Sequence, residues 1–479
     1  MLTFEQRVVV ESFMGGDNHV VTALAGSGKT TTLVACAQRV RGSRGLYVTY
    51  SRALADEMRQ KTASLDLPVK AATAHSLAWL DTPAEFRRRA TSPGRMRYSQ
   101  VAKELGLTRS IQVTDTRRLT PSTLAVEARK VTTAMRLDGV DEPSKEHLGR
   151  WAGTEAEGPL SDAAIMWSDD LADPEGTLPY SHDDYLAAWA ASEPDLASRC
   201  GVGYMMLDEA QDADPAIARV TLGQKGLPTI VVGDPYQAIY GWRGAVDAMD
   251  SMDGYTFSLT GSFRFGKGIA DVGNQVLEAM GCPIRMRGLG TTGEHRVSGR
   301  LSDATMVITR TNAGAVGALM EADSRGIEAH ISSGARNIEN LVKGGCQLRN
   351  GHHTEVREYY GFRTWDEVVA YAHEDPDPGD LGMVVSLAER YGLEKVARVL
   401  ERNSSRGMEI TTAHRSKGRA GRNVLMWEDW RSIDDPSGAG REQAMAFYVA
   451  LTRATHVLDT GRIKGGVAGV LTPSPEEDE

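Results

Sequence analysis

Two short stretches carry residues whose types and spacing could act on a phosphate. "ALAGSGKT", Ala23 to Thr30, ends an apolar run and opens a helical one. Gly26 and Gly28 let backbone amides approach phosphate oxygens, and a helix N-terminus adds the positive end of its dipole. Lys29 can reach β- and γ-phosphates, and the Thr30 hydroxyl can hold Mg2+. Ala25, Ser27 and Thr31 complete this cradle, although Ala23 stands where the strict pattern has Gly. "MMLDEAQD", Met205 to Asp212, is the complement. An apolar strand there delivers Asp208 and Glu209 at its carboxyl end, where ligands bind in open α/β sheets. Asp208 suits Mg2+, and Glu209 is placed to orient and deprotonate an attacking water. ATP and Mg2+ are the expected ligands.

These residues need a sheet to hold them, and the first eighty residues provide its rhythm. "HVVTA", "GLYVTY" and "VKAATAHS" read as strands, with helices over Thr30–Val40 and Ala53–Ser64 between them. A βαβα order predicts a parallel sheet with helices on both faces. The rhythm stops from about Thr82 to Tyr180, where Arg-rich helical segments precede a Gly/Pro/Asp-rich loop, and resumes with "YMMLDEA" and "PTIVVGD". A second set opens near Tyr255 with "YTFSLTGSF", a helix over Gly268–Met280 and "ATMVITRT". It breaks again over about 313–406, mostly helical. "GMEITTAH", "NVLMWE" and a helix over Glu442–Thr455 complete it.

At 479 residues the chain is too long for one core. It has no apolar run long enough for a membrane span, and its N-terminus does not read as a signal peptide. The four cysteines, Cys36, Cys200, Cys282 and Cys346, are scattered singly, which fits a reducing compartment and offers no metal site. A cytoplasmic or nucleoid-associated monomer is expected. Net charge is −10, against wholesale coating of nucleic acid. Yet Arg87 to Arg136 holds twelve basic residues against Glu104, Asp115 and Glu127. That stretch reads either as a polyanion-binding face or as a solvated helical surface.

"VVGDPYQAIYGWRGA", Val231 to Ala245, spends Tyr236, Tyr240, Trp242 and Arg243 on what should be a loop. Aromatics there usually end in a core. Taken with "LTFEQ", "YVTYSRALADEM", "ATAHS", "SFRFG", "EITTAHRSKG" and "FYVALTRA", however, the stretch resembles a motif of the UvrD/Rep-like superfamily-1 DNA helicases. The motifs run in that family's order from Leu2 to Ala454. Within it the likeness is closest to the F-box DNA helicases, through "SHDDYLAAW", "GDPYQAIYGWRGAVDAM" and "SFRFGKGIADVGNQVL". No F-box is read ahead of Leu2, so no ubiquitin-ligase role is expected.

The resemblance implies an α/β fold of two RecA-like P-loop motor domains with parallel sheets, each interrupted by a mostly helical insertion. Domain 1 would comprise 1–80 and 181–256, its insertion 81–180. Domain 2 would comprise 257–312 and 407–468, with a reduced insertion at 313–406 and an acidic, disordered tail at 469–479. By the same resemblance Gln6 reads adenine, Phe263 stacks on the nucleotide base, and Gln237 senses the γ-phosphate. Arg264 and Arg453 stabilise charge on that phosphate. Tyr50, Thr73, His75 and His414 contact single-stranded DNA, as do Tyr240, Trp242 and Arg243, with Trp242 stacking on a base. The implied activity is ATP-dependent translocation along single-stranded DNA, 3′ to 5′, with unwinding at single-strand/duplex junctions in replication, recombination or repair. A translocase that only strips proteins, or a DNA-binding scaffold with a vestigial nucleotide site, are the alternatives. Two positions depart from the family. Ala420 stands where a ribose-contacting Glu is usual, so weak discrimination between ATP and dATP is expected. "REQAMAF" keeps only Glu442 of a usual Glu-Arg pair.

Overall fold

The computed structural model describes residues 2–40, 42–92, 96–113, 118–241, 248–332, 334–359, 362–374, 378–433 and 439–472. The chain divides into two compact units, Met1–Ala23 with Lys29–Leu259 and Leu24–Gly28 with Thr260–Glu479.

The first unit is built on six parallel strands: β1 (His19–Ala23), β2 (Gly45–Thr49), β3 (Val69–Thr73), β4 (Tyr204–Asp208), β5 (Thr229–Gly233) and β6 (Tyr255–Leu259). Their order is β3-β2-β4-β5-β1-β6. β2, β4 and β5 are buried along their whole length, as expected for strands covered on both faces. Alternation divides their side chains between two cores. Val21, Tyr47, Met206 and Val232 pack with Val9 and Phe13 of helix Phe4–Phe13 and Leu33 of helix Lys29–Arg39. Val20, Val48, Leu207 and Val231 pack with Leu77, Leu186 and Ile217 of helices Ala74–Asp81, His182–Ala191 and Pro215–Leu222. The expected strand "VKAATAHS" therefore stops at Thr73, whose hydroxyl accepts from Ser76 N and starts a helix.

Residues 96–178 of this unit have a core of their own, in which Leu124, Val131 and Met135 of helix Pro121–Asp138 meet Leu160 and Trp167 of helix Glu157–Ala172. The second of these helices lies where a Gly/Pro/Asp-rich loop was expected. Its buried Leu160, Ala163, Ala164, Trp167 and Leu171 recur at helical spacing, and that periodicity outweighs the acidic composition.

The arginines of the basic stretch divide into two sets. Arg89 donates to Asp170 Oδ1 at 2.7 Å and to the carbonyls of Asp170 and Leu178. Arg129 forks onto both oxygens of buried Asp184 at 3.0 and 2.7 Å. Arg136 holds Ser168. Arg87 caps the carbonyls of Thr82 and Leu80. These four tie helices together and correct the reading of Arg87–Arg136 as a single face. Arg88, Arg97, Lys103, Arg109 and Arg118 are exposed. Arg95 and Arg117 lie outside the described residues.

The second unit holds another six-stranded parallel sheet: β7 (Glu294–Arg296), β8 (Met306–Thr309), β9 (Ala329–Ile331), β10 (Met408–Thr412), β11 (Gly421–Met426) and β12 (Ala454–Asp459), in the order β7-β12-β11-β8-β10-β9. Val307, Ile410 and Leu425 share one core with Val316 of helix Asn312–Ser324. Leu341, Val384 and Val396 of helices Ala335–Arg349, Gly379–Tyr391 and Leu393–Glu401 join the same core. Two expected boundaries move. Residues 255–259 form β6 of the first sheet, paired with β1 from His19↔Tyr255 to Ala23↔Leu259, so the second set cannot begin at 257. Helix Asn312–Ser324 and β9 belong to the second sheet, β9 pairing with β10, so that sheet extends past 313. The helix expected over Glu442–Thr455 is Ala439–Leu451, and Thr455 belongs to β12. Among the described residues no helix is long and apolar enough to cross a membrane.

Removing Arg129 would leave Asp184, 1% exposed, as a buried charge without its cation. Arg129→Met is expected to destabilise the first unit by about 3–5 kcal/mol, read by denaturant unfolding. A loss under 1 kcal/mol would return Arg129 to the solvated surface.

Candidate functional site

The strand order places the carboxyl ends of β4, β5 and β1 side by side, and each end carries part of one charge cluster. Beyond β1, Gly26 and Gly28 adopt φ of +74° and +87°, a region that favours glycine. Lys29, Thr30 and Thr31 then form the first turn of helix Lys29–Arg39. At the end of β4, Lys29 Nζ donates to Glu209 Oε2 at 2.8 Å. Glu209 takes φ +54°, the left-handed region that a non-glycine residue enters at a cost of about 1–2 kcal/mol. Asp208, 2% exposed, accepts from the Tyr47 hydroxyl at 2.7 Å through Oδ2 and from Glu209 N at 2.9 Å through Oδ1. At the end of β5, Asp234 is fully buried and accepts from Gln237 Nε2 at 2.6 Å and Tyr236 N at 3.2 Å.

Gln211 connects two of these ends. Its Nε2 donates to Glu209 Oε2 at 2.7 Å, and its Oε1 accepts from Asp234 N at 3.0 Å. Tyr47, Gln211 and Asp234 are the members that sequence reasoning missed. "DEAQD" and "GDP" display Gln211 and Asp234 without their partners, and nothing local marks Tyr47.

Burial pushes the Asp208 carboxyl up to about 6, with the charge of Glu209 adding to it. Burial likewise pushes Asp234 up to about 6, against the pull of Lys29. Burial draws the Lys29 ammonium down, but Glu209, Asp208 and Asp234 outweigh it and hold Lys29 above the ordinary lysine range. Three carboxylates thus share one lysine in a poorly solvated place. The donor set fits a divalent cation, which would relieve this imbalance. Asp208 and the Thr30 hydroxyl are the residues to hold it, and the turn around Gly28 and Lys29 suits the phosphates.

Other expected site residues are placed as follows. Gln6 is buried at the third position of its helix, where its Oε1 accepts from Thr3 N in a capping box. Within the second unit, the Gly26 carbonyl accepts from Phe263 N at 2.9 Å. Ala25 N donates to the Tyr448 hydroxyl at 3.3 Å. A Cβ on Gly26 would meet Ser262 Oγ at 2.5 Å and Arg264 Cβ at 2.8 Å. Ser27 is buried. Phe263 is 48% exposed, as a stacking ring would need to be. Arg264 Nη1 donates to Thr452 O at 2.9 Å. Arg453, expected to reach out as a finger, is 2% exposed, with Nε on Val449 O at 2.8 Å and Nη2 on Thr452 Oγ1 at 3.1 Å. Its guanidinium is held back against the turn that ends helix Ala439–Leu451.

Of the expected DNA contacts, Tyr50 is exposed and stands edge-on to His75 at 5.9 Å. His75 lies 3.6 Å from Asp183. Thr73 caps its helix. Tyr240 and His414 are half-buried. Trp242 and Arg243 lie outside the described residues.

Two six-stranded parallel sheets, one of them carrying a glycine-turned loop with Lys29 and a paired Asp208–Glu209, define a P-loop nucleotide-binding protein with RecA-like sheets. Residues 6–243 match a family model described as an AAA domain. The chain is 26% identical over 509 residues to F-box DNA helicase protein 1 of Schizosaccharomyces pombe, covering 95% of this chain and 56% of that protein. It is 26% identical over 517 residues to F-box DNA helicase 1 of Gallus gallus, covering 95% and 48%. The chain is a superfamily-1 helicase relative, related to the F-box DNA helicase group. It spans about half the length of these curated relatives.

Two outcomes follow from the geometry. Gln211→Ala releases Glu209 from one of its anchors and should lower turnover of bound nucleotide by about 10²-fold, with nucleotide affinity within threefold of wild type. Equal turnover would show that Gln211 does not hold Glu209. Asp234 has a folded-state pKa of about 6 against an ordinary 3.8, so it binds its proton more tightly when folded. Its ionisation therefore costs stability as pH rises from about 4 through 6. Asp234→Asn lacks that cost. Relative to pH 4, its stability advantage over wild type should grow by about 3 kcal/mol by pH 8 in melting experiments. A pH-independent difference would contradict this.

Proposed function

We propose that the protein is an ATP-driven DNA motor that moves on single-stranded DNA, 3′ to 5′, and separates strands at single-strand/duplex junctions. The observation that carries this reading is Lys29 against Glu209 beside buried Asp208, in a chain related to DNA helicases. Lys29 exchanges its bond with Glu209 for the β- and γ-phosphates of ATP. Glu209, released, takes the proton of the attacking water. Thr30 and Asp208 would hold Mg2+, which would supply charge neutralisation at the phosphates. Gln237 reports on the γ-phosphate, and Arg264 and Arg453 stabilise its charge once Arg453 leaves the helix end that now holds it. Gln6 and Phe263 take the adenine.

DNA is gripped by Tyr50, Thr73, His75, Tyr240, Trp242, Arg243 and His414, while exposed Arg88, Arg97 and Lys103 add phosphate contacts. The first motor domain then runs to Leu259 with residues 81–180 inserted. The second begins at Thr260 and includes β9, with the helices of 335–401 as its insertion. Protein displacement without unwinding is the second reading, supported by the same charge cluster.

Strand displacement on 3′-tailed and 5′-tailed duplexes tests this. Release should occur on the 3′-tailed substrate with ATP, and not with Lys29→Ala protein. Displacement of a bound protein block without strand release would select the stripping translocase. Binding of DNA without any ATP turnover would select the scaffold.

A further inference from the structure

Tyr47 sits in the middle of β2, opposite Met206 of β4, with its ring in the core layer of Val9, Val21, Leu33 and Val232 and none of its surface exposed. Packing alone asks only for a ring there, and Phe would fill that space. A buried phenol costs free energy unless its hydroxyl finds a partner. This hydroxyl donates to Asp208 Oδ2 at 2.7 Å. Glu209 N approaches the other oxygen, Oδ1, at 2.9 Å. Two directed donors on one carboxylate leave it a single orientation.

We infer that Tyr47 is a positioning residue that aims the Asp208 carboxylate at the divalent cation, an inference that rests on the nucleotide reading above. The hydroxyl touches neither nucleotide nor cation. It fixes the lone pairs that Asp208 still offers, as hydrogen-bonded partners of metal ligands do elsewhere, and loss of such a partner costs about 10–100-fold in metal affinity. Tyr50, the expected DNA contact, lies three residues further along the chain. Nothing in the immediate sequence of "GLYVTY" marks this role.

The test is a Mg2+ titration of a fluorescent, non-hydrolysable ATP analogue bound to full-length wild-type and Tyr47→Phe protein, with melting temperatures measured alongside. Tyr47→Phe should raise the Mg2+ midpoint about tenfold or more, leave affinity for metal-free analogue within threefold, and melt close to wild type. Those three together support the positioning role. An unmoved midpoint overturns it. So does a lowered melting temperature with an unmoved midpoint, which would make the hydroxyl a packing partner only. Wild-type protein that binds the analogue with no response to Mg2+ refutes the nucleotide reading itself, a result distinct from a wild-type response that Tyr47→Phe fails to change.

Discussion

The first unit is arranged around one electrostatic constraint: half-buried Lys29 pairs with Glu209, with Asp208 and Asp234 close by. Carboxylates avoid such company. Burial holds Asp208 and Asp234 near 6, where each stays ionised at neutral pH only by opposing the desolvation that surrounds it. Replacing buried ionic groups with well-packed apolar side chains is often neutral or stabilising, so this cluster is weak as a device for stability.

The sheet makes the cluster and the hydrogen bonds keep it ordered. Because β1 lies beside β5 and β5 beside β4, residues from three distant parts of the chain reach one another at their strand ends. Gln211 then ties Glu209 to the start of the segment that carries Gln237. Glu209 and the backbone of Asp234 are thus bonded to one and the same side chain. That segment continues to Tyr240, which follows the acidic turn at three residues beyond Gln237.

The parts of this site legible in the sequence were those set by local chemistry. Lys29 follows the glycines directly, and Asp208 and Glu209 end an apolar run, so their types and local context suggested one phosphate site, though not the direct Lys29–Glu209 bond. Tyr47 was illegible because its partner lies 161 residues away and its strand reads as ordinary core. Charge counting left Arg87–Arg136 open between a polyanion-binding face and a solvated surface, because it cannot see Asp170 or Asp184 folding back onto Arg89 and Arg129. β6 was assigned to the wrong sheet for a similar reason: five residues of strand propensity do not say which neighbour they pair with. Arg453 followed the family pattern, yet its buried guanidinium is fixed by backbone carbonyls that no motif displays.

The central claim is that Glu209 is the group that activates water for nucleotide hydrolysis. Steady-state ATP turnover by Glu209→Gln protein, at saturating single-stranded DNA and with nucleotide binding measured on the same sample, tests it most directly. The account predicts turnover at least about 10²-fold below wild type while nucleotide still binds. Wild-type turnover by Glu209→Gln would contradict it.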